Sequence, residues 1–285
     1  MDEKISIIMP SYNYAKYIRE AIRSVINQTY TNWELIIIDD ASTDHSLDII
    51  EEYLHDTRIK LIINDKNLGL AVTLKKGIEF AEGKWIAFLE CDDMFYPLSL
   101  EKKMEAAKNG ADVIFTAVEG FQDKQKIEKY KKHVEDINKY IVKLNKSKFI
   151  PNFKDIVYKT NIIPTFSALM IKKELLQECK FNPLCKSALD YYLEAQLCFH
   201  KFYYIHEELT RWRLHSDSYL NRDKNSWLIK FLFSISIYKE TIKDKNAFTR
   251  FFVLTNWIRR KIIYISTNNS RLKISLFNNQ IIFVI

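Results

Sequence analysis

The chain has 285 residues, 47% of them hydrophobic, with only five glycines and five prolines, enough for a substantial core in one large or two modest domains and unlike any collagenous or low-complexity chain. Its net charge of +7 belongs to its end, because residues 221–285 hold 12 Lys and Arg against 3 Asp and Glu, whereas the first 220 hold 31 against 33. The four cysteines, Cys91, Cys179, Cys185 and Cys198, form no CxxC pair, which argues against a structural zinc site or a disulfide scaffold and for a reduced, cytoplasmic protein.

Taken in order, short apolar runs alternate with helical periodicity. Ile5–Met9 reads as a strand that stops at Pro10; it is too short and wrongly flanked for a signal peptide. Helical spacing follows from Ala15 to about Asn27, with Ile18, Ile22, Val25 and Ile26 on one face. Leu35–Ile38 is a second buried strand, and Ser42-Thr43-Asp44 can cap a helix running to about Leu54. Ile59–Ile63, Trp85–Leu89 and Val113–Ala117 are further strands, with helices over Ala71–Ala81 and Ser99–Lys108 between and after them. Strands with continuous apolar runs separated by helices predict an α/β fold, a mostly parallel sheet covered on both faces. From Glu119 to about Asn161 the alternation fails, and this Lys-rich stretch, broken at Pro151, reads as an insertion beside the site. Ser167–Ile171 resumes as a strand, Leu189–Phe199 as a helix and Tyr203–Ile205 as a short strand. Beyond about Ser226 apolar and aromatic residues recur at helical spacing. No run reaches the roughly 18 apolar residues of a membrane span.

Ligands on such sheets bind beyond the carboxyl ends of the strands, and that is where the polar clusters fall: Ser11-Tyr12-Asn13, Asp39-Asp40 and Glu90-Cys91-Asp92-Asp93. Three carboxylates within four residues repel one another unless solvent or a cation relieves them. A hard divalent ion, Mn2+ or Mg2+, does so and also binds diphosphate oxygens. Asp39-Asp40 offers a carboxylate to a base or ribose, or else caps the next helix. Tyr12 can stack on a flat base.

Five pieces in order, Ser6–Asn13, Ser24–Tyr30, Trp33–Asp44, Asn67-Leu68-Gly69-Leu70 and Glu90–Asp93, spread over about 110 residues, resemble the N-terminal half of the family 2 glycosyltransferases, the large inverting group with a GT-A, Rossmann-like fold. The resemblance implies a nucleotide-sugar donor, with UDP the expected carrier. Pro10, Tyr12, Asn13, Asp40 and Asn67 would lie at the donor, Pro10, Tyr12 and Asp40 holding its base. Asp92 would meet the ribose and the metal, and Asp93 would be the main metal ligand. Glu90 stands where the family often has Asp, and Leu74-Lys75 where it often has Arg-Asn, so Lys75 or Lys76 is the candidate diphosphate or sugar contact. Ser187–Leu193 resembles the segment carrying the catalytic base. There Leu189 replaces the usual first acid, and Asp190 is the candidate base. Arg211–Ser216 resembles the family's Arg-x-His, which gives Arg213 to the diphosphate and His215 to the metal or phosphate.

These readings divide the chain into a nucleotide-sugar-binding half (1–118), an acceptor-binding and catalytic-base half (119–220) and a basic, aromatic, helical C-terminal extension (221–285). The acceptor implied is a glycan or a lipid-linked glycan of surface polysaccharide assembly. Residues 226–265, with Trp227, Phe231, Trp257 and Tyr264 among basic residues, are expected to contact an anionic membrane surface, a partner or the chain's own domain. Nucleic acid is not an expected partner. A nucleotidyltransferase would carry a glycine-rich loop after the first strand, where Pro10–Asn13 has no glycine. A non-catalytic nucleotide-binding module stays open.

Overall fold

The computed structural model describes residues 3–128, 131, 149–150, 153, 162–183, 189–215, 273–277 and 280–284. Its first half alternates β1 (Ile5–Ser11), α1 (Ile18–Ile26), β2 (Trp33–Asp39), α2 (Ser46–Glu51), β3 (Ile59–Ile63), α3 (Leu70–Phe80) and β4 (Trp85–Phe88). There follow β5 (Met94–Phe95), α4 (Ser99–Lys108), β6 (Val113–Gln122), a 3-10 turn (Phe166–Ala168), β7 (Leu169–Lys172), α5 (Lys173–Glu178), α6 (Leu189–Leu197) and β8 (Phe202–Leu214). Together β1–β8 form one eight-stranded sheet in the order β3-β2-β1-β4-β7-β6-β8-β5.

The sheet is mixed. β1 pairs in parallel with β2 and β4, as do β2 with β3 and β6 with β8, while β7 runs antiparallel to both β4 and β6, and β5 antiparallel to β8. Side chains alternate across a strand, and here both alternating sets are apolar. Ile8, Ile36, Ile38, Ile86 and Phe88 enter one core with α3 and α6, whereas Ile7, Met9, Leu35, Ile37, Trp85 and Ala87 enter another with α1 and α4. The continuous apolar runs are therefore two buried faces written into one strand.

Several boundaries differ from the sequence reading. Ser42-Thr43-Asp44 does not start the second helix, which begins at Ser46 and ends at Glu51; Asp44 instead accepts hydrogen bonds from the Ser46 amide and hydroxyl. β6 runs on to Gln122, so the division at 118/119 falls inside a strand. β8 spans 13 residues rather than three, with a register shift against β6 after Ile205, next to exposed His206 and Glu207. Most of the 119–161 insertion, Pro151, Cys185 and the helical reading of 226–265 lie outside the described residues. At the chain's end, Lys273–Phe277 and Gln280–Val284 pair as an antiparallel hairpin, where the sequence suggested a helical extension. Among the described residues no helix is long and apolar enough to cross a membrane.

Helix α3 sets one wall of the site, and its seating depends on Gly77. A Cβ there would come within 2.6 Å of Ile38 Cδ1 and 2.7 Å of Ile8 Cγ2. Gly77→Ala should therefore lift α3 off the sheet, costing about 1–3 kcal/mol. Thermal denaturation should show a melting point several degrees lower, and an unchanged one would refute this account of the packing.

Candidate active site

A cleft of about 1050 Å3, open solvent at its mouth included, lies beyond the ends of β1, β2 and β4. Its lining includes Pro10, Tyr12, Asp40, Asn67, Leu70, Thr73, Glu90, Asp92, Phe166, Asp190, Trp212 and Arg213. Residues far apart in sequence thus share one cavity because the strands that carry them end, or pass, at the same rim.

The acidic block is held from three directions. Asp93 is buried; its Oδ1 accepts from the Arg213 amide at 2.9 Å and its Oδ2 from the Ser167 hydroxyl at 2.6 Å. Burial, then the charges of Asp92 and Glu90, push its carboxyl well above the usual range. Glu90 accepts from the Thr165 hydroxyl at 2.5 Å, and its amide donates to Ser167 Oγ. Burial and then Asp92 raise the Glu90 pKa to about 8, with Asp190 adding to the shift. Asp92 faces the cleft, with its Oδ2 3.0 Å from His215 Nε2. The carbonyl of Asp92 accepts from Arg213 Nε at 2.8 Å.

Both oxygens of Asp93 are engaged by protein donors, the Arg213 amide and the Ser167 hydroxyl, whereas Asp92 is the acid that lines the cleft. His215 is not part of the lining; it is buried behind Asp92 and touches its carboxylate, and a carboxylate beside an imidazole suits Mn2+ or Mg2+. Among the described residues no three His, Cys, Asp or Glu side chains are placed to hold one metal ion. A cation at Asp92 and His215 would complete its shell from diphosphate oxygens and water.

The donor-side residues separate in the same way. Pro10, Asn67 and Tyr12, which is 37% exposed, line the cleft. Asp40 lines it too, while its carboxylate accepts from Asn64 Nδ2 and the amides of Leu68 and Gly69, each at 2.8 Å. It thereby fixes the Asn67–Leu70 turn, in which Gly69 has φ +84°. Asn13 is not part of the lining; at φ +58° it accepts from the Thr43 amide at 2.7 Å and ties the loop after β1 to the loop after β2. Lys75 also falls outside, on the exposed face of α3, because the cleft face of that helix is set by Leu70 and Thr73. Lys76 reaches Asn64 Oδ1 at 2.7 Å and supports Asp40 through it. Leu74 is core.

Asp190 lines the cleft in the first turn of α6. One turn on, Glu194 is buried with neither carboxylate oxygen hydrogen-bonded, and burial followed by the charge of Asp190 pushes it well above the usual range. Arg213 lines the cleft as well, but its guanidinium is packed between Tyr17 and Phe121, 4.5 Å from each ring centroid, and pairs with Glu20 and Gln122. Sequence reasoning missed Thr165, Ser167, Glu20 and Gln122. None sits in a motif, and each matters only through a contact 72 or more residues away in the chain.

Beneath the block lies Lys103, fully buried, with Nζ 3.4 Å from the Ser167 carbonyl and 4.4 Å from the Phe95 ring centroid. Burial lowers its pKa to about 7, against about 10.4 for an unfolded lysine. Between those values the unfolded chain binds one more proton, so stability rises with pH. Lys103→Met should stabilise the protein most below pH 7, with the gain shrinking toward pH 10. Chemical denaturation at several pH values checks this, and parallel stability curves for the two proteins would sink it.

Comparison with known proteins gives this cleft a context. Residues 6–179 match the family described as Glycosyl transferase family 2. An uncharacterised glycosyltransferase of Methanocaldococcus jannaschii is 30% identical over 241 residues, 80% of this chain and 77% of that protein. The putative teichuronic acid biosynthesis glycosyltransferase TuaG of Bacillus subtilis is 42% identical over 102 residues, 35% of this chain. The Escherichia coli UDP-Glc:alpha-D-GlcNAc-diphosphoundecaprenol beta-1,3-glucosyltransferase WfgD is 42% identical over 103 residues, 36% of this chain. The matches span only 40% of the length of TuaG and of WfgD. Among solved structures, S. aureus TarS in complex with UDP-GlcNAc superposes with a TM-score of 0.72 at 19% identity, over 93% of this chain and 74% of that one. A mannosyltransferase of Pyrobaculum calidifontis in complex with GDP-Man and Mn2+ does so at 0.61 and 14%, over 94% and 76%. At such identities the likeness is one of fold, and the fold is GT-A.

Proposed function

The chain belongs to glycosyl transferase family 2, and from that premise we propose that it moves a sugar from a UDP-sugar to a hydroxyl of a glycan or lipid-linked acceptor, inverting the anomeric carbon. The observation that carries the proposal is the meeting of Asp92 and Asp190 with Pro10, Tyr12, Asp40 and Asn67 around one cleft, with His215 buried behind Asp92 and in contact with it. The UDP-GlcNAc held by TarS and the lipid-linked acceptor in WfgD's name lend the substrate class support.

In this reading Tyr12 stacks on the uracil, with Pro10, Asp40 and Asn67 beside it. Asp190 accepts the proton of the acceptor hydroxyl as that oxygen bonds to C1. The C1–O bond to the diphosphate breaks on the opposite face, and its electron pair leaves with the nucleoside diphosphate. Asp92 and His215 would hold a divalent cation, which when bound supplies neutralising charge to the departing diphosphate. Asp93 and Arg213 keep Asp92 in place, and Glu90 adds a third carboxyl beside them.

Asp190→Asn keeps the size of the side chain and removes the base. Turnover should fall about 100- to 10,000-fold, while UDP affinity, measured calorimetrically with Mn2+, stays close to wild type. Full turnover in this variant would refute the assignment. UDP binding without turnover of any sugar or acceptor, in the wild-type protein, would favour a non-catalytic module.

The charge and aromatic content of residues 221–285 support a peripheral seat on an anionic membrane, on the side where cytosolic UDP-sugars are available. Flotation with anionic liposomes should carry the intact chain and leave behind a chain ending at residue 220. Equal flotation of the two would end the idea.

A further inference from the structure

We propose that Glu20, a carboxylate of α1 outside the cleft lining, is a positioning residue for the Asp92–His215 pair and acts through Arg213. This rests on the reading of that pair as the diphosphate and metal end of the site. The chain of contacts is continuous. Glu20 pairs with Arg213 Nη2; Arg213 Nε donates to the Asp92 carbonyl at 2.8 Å, and the Arg213 amide donates to Asp93 Oδ1 at 2.9 Å. Two residues further along, His215 meets the other end of Asp92, side chain to side chain, at 3.0 Å. Asp92 is thus gripped at its carbonyl by one residue and at its carboxylate by another, both from the same stretch of chain.

The Arg213 side chain is 9% exposed and that of Glu20 56%. A buried guanidinium needs its charge answered, and Glu20 is the carboxylate that answers it. Tyr17, which stacks against Arg213, also packs on His215 with ring centroids 4.9 Å apart. One turn of α1 and its lead-in therefore contact both residues that hold Asp92. Without Glu20 the arginine keeps Gln122 and its two rings but loses the contact that fixes its outer nitrogen. The Asp92 carbonyl then loses a rigid donor. Partners one step behind a metal ligand, as Arg213 is to Asp92, typically change metal affinity about 10- to 100-fold, and Glu20, one step further back, is expected at the lower end, about 10-fold.

The test uses Glu20→Ala and Glu20→Gln in the full chain, with two readouts. The first is hydrogen exchange of the ligand-free protein. In Glu20→Ala, amides of residues 90–94 should exchange faster while those of β1 and β4 keep wild-type protection. The second is Mn2+ binding in the presence of UDP, followed by the electron paramagnetic resonance of free Mn2+. Here Glu20→Ala should bind about 10-fold more weakly, with Glu20→Gln, which keeps the acceptor oxygen and loses the charge, in between. Unchanged exchange over 90–94 in a normally melting Glu20→Ala protein would overturn the proposal, as would faster exchange spread evenly over the whole sheet. If the wild-type protein binds no Mn2+ with UDP, the metal reading of the site fails, and the exchange result still decides the role of Glu20.

Discussion

The site depends on one buried carboxylate. Asp93 lies in the loop after β4, and its two oxygens reach the Ser167 hydroxyl before β7 and the Arg213 amide near the end of β8. Three segments that are distant in the chain are thereby pinned to a single point, flanked by Asp92 at the cleft wall and by His215 buried behind it. A carboxylate buried this deeply among like charges is costly alone. Its two donors make it tolerable, and in doing so they fix the direction in which its neighbour faces. The two adjacent acids are unequal, Asp93 turned inward onto protein donors and Asp92 turned toward the cleft.

The opposite side of the cleft follows the same division of labour. Asp40 accepts from three donors, two amides of the turn that begins α3 and the Asn64 side chain after β3, and Asn13 bridges the tips of the first two strands. Residues that a motif reading assigns to ligand contact spend their hydrogen bonds on the loops that shape the cavity. Pro10, Tyr12 and Asn67 line the cleft itself.

The first half of the fold was legible because its signal is local. Strands β1, β2 and β4 are short β-branched or aromatic runs, and α1 and α3 follow 3.6-residue spacing, so each announces itself within a dozen residues. β8 was not legible, because His206, Glu207, Glu208, Arg211 and Arg213 interrupt its apolar pattern. Those charges are tolerated where the strand passes solvent or enters the acidic end of the cleft. The site was half legible for a related reason. A motif names which residues gather but not which way each side chain turns. The inward turn of Asp93 depends on Ser167, and the outward turn of Lys75 depends on α3 seating through Gly77; both are tertiary facts with no local trace.

The position of β8 near the end of the sheet's chain order also has a consequence for biogenesis. A ribosome releases β1 through β4 and the whole acidic block before it has made Arg213 or His215. While the nascent chain waits, the parallel strands can already pair, but Asp93 still lacks one of its two donors and Asp92 lacks the histidine beside it. Because domains generally fold as units, the sheet is complete only once β8 supplies the Arg213 amide to Asp93. The acidic end of the cleft is thus completed only when the last strand of the sheet has been synthesised and docked.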